Sequence, residues 1–220
     1  MLVERRSEAG YTLVELLVTM VVLSIATTAF FQVMLGVTSG ADRSREMVRI
    51  SEEARLGFNR LVRDTREGEE LIAASSDSFR VQIDFNADGV ITPQPSLNAA
   101  GDYEDLTFSW DSGSKVIRIN GETLMRRVDC VRADATSPCS SDVFTYVSDR
   151  LEYDWDGDGV TTWRELDEAP TRGVIGVGNN NGVLDDAELP FVSSVGFSFE
   201  VQNGDASKTF YATAQLRNQR

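Results

Sequence analysis

LLVTMVVLSIATTAFFQVMLGVTSGA, residues 16–41, runs for 26 residues without a charged side chain. At about 1.5 Å of rise per residue, roughly 20 residues of helix cross a bilayer core of about 30 Å. Two other readings compete: the core helix of a soluble protein, and a removable secretory signal. So long an uncharged run in an acidic chain favours membrane insertion over the first. The order of the parts argues against the second, because the polar leader MLVERRSEAG ends at Gly10 before the apolar run begins. A secretory signal instead has a short apolar core followed by a small-residue cleavage site.

Outward from this run, residues 42–71 change character. Met47, Val48, Ile50, Ala54, Leu56, Phe58, Leu61 and Val62 recur near a 3.6-residue period on a background of Arg, Glu and Asp, with no proline. The helix is therefore expected to continue as an amphipathic half over 42–72. Alternation then takes over, predicting strands at 78–85, 105–110, 115–120, 143–147, 191–202 and 208–218, with Asp111, Ser112 and Gly113 turning the second into the third. The fold class is α+β. The expected division is a leader at 1–10, an apolar helix at 11–41, its amphipathic continuation at 42–72 and a β-rich domain at 73–220.

Charge obeys the same division. Residues 71–220 hold 12 basic and 24 acidic side chains, which is −12 of the net −14. So acidic a domain has no basic groove for nucleic acid. The chain has no histidine, which excludes Ser-His-Asp and Cys-His catalysis, and two cysteines are too few for a structural zinc site. No glycine-rich phosphate loop is present. Paired carboxylates raise the possibility of a glycosidase, but the clustered acids fall into a cation-loop spacing instead, and no enzyme activity is expected.

Glu15 interrupts the apolar flank formed by Leu13, Val14, Leu16 and Leu17. A carboxylate at membrane depth is costly unless paired, so it is read as functional. MLVERRSEAG followed by YTLVELLVTMVVLSIATTAF resembles the class III leader and mature N-terminus of type IV pilins and type II secretion pseudopilins. That resemblance implies a type IV pilin fold, a long helix packed on an antiparallel sheet. It also implies cleavage by prepilin peptidase after Gly10, N-methylation of Tyr11, and a role for Glu15 in assembly through the helices of other pilins or pseudopilins. The α-amine of Tyr11, on this chain or a neighbour, is the cation that would compensate Glu15. Within that resemblance, the absence of proline before Pro93 suits a minor pilin better than a major subunit, and Leu216-Arg217-Asn218 resembles the end of PilW-type minor pilins and J-type pseudopilins.

Cys130 and Cys139 flank an eight-residue polar loop. Beyond a membrane anchor they are expected to form a disulfide, the alternative being two buried thiols. The sharpest chemical pattern is Asp154-x-Asp156-x-Asp158-Gly159-x5-Glu165, which has the form of a calcium loop at every fixed position. Carboxylates at 154, 156 and 158 turn toward one centre, Gly159 reverses the chain, Val160 offers its carbonyl and Glu165 closes the shell. Helices on both sides are not expected, since residues 150–153 alternate like a strand and Pro170 and Gly173 interrupt the segment after Glu165.

A weaker echo, with Asn179, Asn181, Gly182, Asp185 and Glu188, has Val177 where the first acid belongs. It is read either as a weak site or as extra ligands to the first ion. Asp84-x-Asn86-x-Asp88-Gly89 opens the same way but has Pro95 at the closing position, and reads as a turn unless Asp102, Glu104 or Asp105 folds back. Trp155 and Trp163 beside the main loop either pack or form a binding surface.

The expected function is a minor pilin of a bacterial type IV pilus, inserted in the inner membrane and assembled at or near the filament tip, with calcium as its cofactor. A J-type pseudopilin and a membrane-tethered calcium module that never assembles are the alternatives. Glu15 separates the last from the others, since a simple tether has no use for a carboxylate there.

Overall fold

Helix α1 spans Leu13–Glu67, 55 residues uninterrupted by proline. The computed structural model describes residues 12–132, 137–140, 142–185, 187–204 and 206–217. It comprises two units, Met1–Val48 and Arg49–Arg220. In the first unit every described residue up to Arg45 is exposed. The helix is long and apolar enough there to cross a membrane. Six of its hydroxyls are satisfied within the helix. Thr19, Ser24, Thr27, Thr28, Thr38 and Ser39 each donate a hydroxyl to a carbonyl one turn earlier. That leaves no hydroxyl proton of these six in need of water, as an apolar solvent demands.

In the second unit the helical stripe is buried. Ile50, Ala54, Gly57, Leu61, Asp64 and Thr65 recur at three- and four-residue steps and lie inside. Gly57 has a steric reason, since a Cβ there would stand 2.4 Å from the Met125 side chain and 2.8 Å from the Leu124 carbonyl. Phe58 packs edge-on against Phe197, Phe199 and Phe210, each centroid within 6.4 Å. Such aromatic contacts add about 0.5–1.5 kcal/mol each beyond area burial.

Two antiparallel sheets carry the rest. The first runs in order β1 (Glu70–Ala74), β2 (Ser78–Gln82), β3 (Asp105–Asp111), β4 (Val116–Ile119) and β5 (Glu122–Arg126). The Asp111 carboxylate accepts from the Gly113 and Ser114 N–H groups and closes the β3–β4 turn. After β6 (Val128–Asp129) come β7 (Phe144–Ser148), β8 (Thr161–Thr162), β9 (Ser194–Asn203) and β10 (Ala206–Gln215). The second sheet has order β10-β9-β7-β8, with β6 also pairing β9. The alternation read from sequence places Phe79, Val81, Phe108, Ile117, Phe144, Tyr146, Phe197 and Phe199 in one core.

Three expectations are corrected. Helix α1 ends at Glu67 rather than 72, because Gly68 permits a close approach to Val81 and residues 70–74 pair with β2. A Cβ at Gly68 would lie 2.4 Å from the Val81 side chain. Residues 151–153 form a 3-10 turn, not a strand, which buries Tyr153 with Leu166, Ala169 and Val177 in a small second core. Strand β9 starts at Ser194, after a further 3-10 turn at Leu189–Phe191. Cys130 and Cys139 are joined as a disulfide, and part of the loop they enclose, 133–136, lies outside the described residues.

Candidate functional site

The two candidate sites of the chain lie in different units. At the start of α1, Glu15 occupies the first turn and its N–H donates to Thr12 Oγ1 at 3.3 Å. Thr12-x-x-Glu15 thus begins the helix as a capping pair would, and an anion in the first turn is favoured by the helix dipole. Reading Glu15 for assembly alone misses this local role, although the Thr-x-x-Glu spacing announces it. Gly10 and Tyr11 lie outside the described residues.

In the second unit, residues 154–165 link the 3-10 turn at 151–153 to β8 and the short helix α2 (Trp163–Asp167). The Asp154 carboxylate accepts from the Gly157 and Gly159 N–H groups at 2.7 and 2.9 Å. Asp156 accepts from the Asp158 N–H and Asp158 from the Val160 N–H. Gly157 and Gly159 have φ of 75° and 86°, the left-handed region that this circuit requires. Among the described residues, Asp154, Asp156 and Asp158 are the three acids whose ligand oxygens all lie within 4.8 Å of one another. That is about twice the 2.3–2.6 Å of a calcium–oxygen bond, and the donors are oxygen throughout, so the residues fit a hard divalent cation.

Glu165 stands beside this triad with both oxygens engaged. Its Oε1 accepts from the Trp155 N–H at 2.9 Å and its Oε2 from the Thr162 N–H at 2.7 Å, within the capping box of α2. Val160 is exposed. The tryptophans pack: Trp155 lies edge-on to Tyr153 and donates its indole N–H to the Glu165 carbonyl, while Trp163 rests on the main core.

The same circuit recurs twice. In the turn at 84–89, Asp84 accepts from the Asp88 and Gly89 N–H groups, Asn86 from Asp88 and Asp88 from Val90. Glu104 does fold back, accepting from the Thr92 N–H at 3.0 Å and the Asn98 amide at 2.6 Å. The Asn98 hydrogen bond holds the Glu104 carboxyl below its ordinary pKa. Asp105 is instead held by the Arg80 guanidinium.

In the loop at 177–188, Asn181 accepts from the Val183 N–H and Asn179 from the Asn181 N–H. The amides of Asn179 and Asn181 both donate to Asp185, at 2.5 and 2.8 Å. The first acid comes from elsewhere. Asp167, the last residue of α2, accepts from the Asn181 N–H at 3.0 Å and the Gly182 N–H at 2.7 Å, the bonds that Asp84 makes to its own loop. Spacing could not reveal Asp167, which lies ten residues before Val177. The one local signal is Gly178, where a Cβ would stand 2.2 Å from the Leu166 carbonyl.

A family model for the prokaryotic N-terminal methylation motif matches residues 5–31. No curated protein and no solved structure matches the chain. The chain thus carries the class III prepilin signal, and its long N-terminal helix, packed onto antiparallel sheets through its amphipathic half, gives an α+β layout consistent with the type IV pilin fold. The motif implies processing by prepilin peptidase and assembly with other pilins, and with the apolar helix it supports membrane anchoring before assembly.

Proposed function

We propose that the protein is a minor pilin, a structural rather than catalytic subunit that waits in the bacterial inner membrane and enters a type IV pilus at or near its tip. The observation that carries this reading is Glu15, an acid in the first turn of a helix that is otherwise apolar and exposed through its first half. A tether needs only the apolar residues. An intramembrane acid earns its place through a partner, and the α-amine at Tyr11 of this or a neighbouring subunit is the cation at that depth. Glu15→Ala is expected to leave insertion and cleavage after Gly10 intact while lowering recovery in sheared filaments at least tenfold. Normal recovery would sink the assembly role, and recovery with secretion-system pseudopilins in place of pili would favour the J-type reading.

The second part of the proposal is that Asp154, Asp156, Asp158, Glu165 and the Val160 carbonyl hold calcium. Three acids in one turn, Asp154 half-buried and Asp156 and Asp158 exposed, repel one another until a cation arrives, so binding stabilises the folded unit. An ion at about 100 times its dissociation constant adds roughly 2.7 kcal/mol to a fold that binds it only when native. For the processed chain in detergent, millimolar calcium should raise the melting temperature and chelator reverse it. Asp156→Ala with Glu165→Ala should abolish the part of the shift due to this loop. An unchanged shift in that double variant would reduce the loop to an acidic turn.

A further inference from the structure

Glu188 is fully buried, and its Oε1 has no hydrogen-bond partner. Its Oε2 accepts from the Asp185 N–H at 2.7 Å, as Glu165 Oε2 accepts from Thr162 and Glu104 Oε2 from Thr92. The other oxygens differ. Glu165 Oε1 has the Trp155 N–H and Glu104 Oε1 has the Asn98 amide, whereas the third has nothing. A carboxylate oxygen removed from water without a donor retains its desolvation penalty until some other group takes the place of solvent.

The surroundings of Glu188 make a cation the fitting group. Asp185 and Asp167 belong to the same circuit, Asp185 through its N–H to Glu188 and the Asn179 amide, Asp167 through the Asn181 N–H. Among the described residues no lysine or arginine forms a salt bridge with Asp167, Asp185 or Glu188. Two amide oxygens, those of Asn179 and Asn181, hold the circuit positions that Asp156 and Asp158 hold in the loop at 154–165.

We propose that Asp167, Asn179, Asn181, Asp185 and Glu188 form a second site for a hard divalent cation, calcium by the chemistry of its donors. Asp167 supplies the first ligand, which the loop itself lacks, and the unpartnered Oε1 of Glu188 closes the shell. Asp167 is buried and its carboxylate is already fixed by the Asn181 and Gly182 N–H groups, whereas the three acids do not meet within 4.8 Å as Asp154, Asp156 and Asp158 do, so the ion would draw Asp185 and Glu188 toward Asp167. Three carboxylates, which can each offer two oxygens, and two amide oxygens are enough for the six to eight oxygens that calcium takes. This second ion does not depend on the first, because the orphaned oxygen belongs to this loop alone.

Calorimetric titration of the chelator-treated chain in detergent with calcium chloride tests it. The wild-type chain should bind two ions. Glu188→Gln should remove one, weakening that site at least tenfold, and Asp167→Asn should weaken the same one. Asp154→Asn with Asp156→Asn should remove only the other. If the last variant changes nothing while Glu188→Gln removes an ion, the reading of residues 154–165 fails and this inference stands. Stability in chelator separates a ligand from a structural residue. Glu188→Gln relieves a buried charge, so its melting temperature in chelator should equal or exceed that of wild type while its calcium-induced rise shrinks. An unchanged stoichiometry and affinity in Glu188→Gln overturns the proposal, as does a melting temperature lowered equally with and without calcium.

Discussion

The loops at 154–165 and 177–188 share a hydrogen-bond circuit but differ in where the first acid originates. In one, Asp154 sits at the head of its own loop and its carboxylate gathers the loop's N–H groups. In the other, the residue at that place is Val177, which packs with Tyr153, Leu166 and Ala169, and Asp167 gathers the N–H groups from outside. One position cannot both anchor a core and ligate a cation, and here the core took it. The difference teaches that a spacing motif specifies only the acids that a loop brings itself. Packing decides who brings the rest.

The harshest way to break the comparison is to restore the missing acid. A motif reading expects Val177→Asp to improve the second loop. Its surroundings predict the opposite, because a carboxylate would enter an apolar cluster beside residues already rich in acids. The expected loss is about 3–4 kcal/mol, combining the lost burial of valine with an unpaired charge. Denaturant melts in chelator would measure it. A stability within about 1 kcal/mol of wild type, the scale of an ordinary surface substitution, would show that Val177 is not committed to the core.

Legibility in the sequence divides along the same line. The apolar run, the acid at Glu15 and the stripe from Ile50 to Leu61 are local patterns, and local periodicity specifies a helix and its buried face. Alternation alone places Phe79, Val81, Phe108 and Phe197 inside. The end of α1 is not legible, because Leu71 continues the helical stripe and only its pairing opposite Val81 makes it a strand residue. The turn at 154–165 is readable because Asp154, Asp156, Asp158, Gly159 and Glu165 lie within twelve consecutive residues. Asp167 is not, since it reaches its loop through the fold rather than along the chain, and for the same reason Glu104 could be named only as one of three acids able to fold back.

A smaller break works through the backbone that joins Asp167 to its loop. Gly178 has φ of 66°, and a Cβ there would lie 2.2 Å from the Leu166 carbonyl and 2.6 Å from the Asp167 Cα. Alanine must push the loop away from α2, the displacement that would withdraw the borrowed acid. Overpacking costs about 1–3 kcal/mol, and a left-handed conformation adds about 1 kcal/mol for a residue with a Cβ. Gly178→Ala is therefore expected to destabilise by about 2–4 kcal/mol and to weaken calcium at the second loop only. A variant that loses stability but keeps both affinities would uncouple Gly178 from the site.

The smallest expected effect sharpens the comparison most, because it changes sign. Asp156 and Asn179 are equivalent positions of the two loops, one charged and one neutral. Asp156→Asn keeps the oxygen that accepts the Asp158 N–H while removing one of three crowded charges. In chelator its melting temperature should rise by about 1 °C, the scale of a few tenths of a kcal/mol in a chain of this size. In calcium it should fall below wild type, because a tenfold loss of affinity removes about 1.4 kcal/mol of linkage once the ion is in excess. Asn179→Asp is the mirror image: it adds a charge near Asp185 and Asp167, lowering stability in chelator and tightening calcium. Paired melts of the two variants, each with chelator and with calcium, give four shifts whose signs must be opposite between the two conditions for each variant and between the two variants in each condition. If Asn179→Asp is destabilising in both conditions, the second loop gains nothing from a cation, and the likeness of the two circuits ends at their hydrogen bonds.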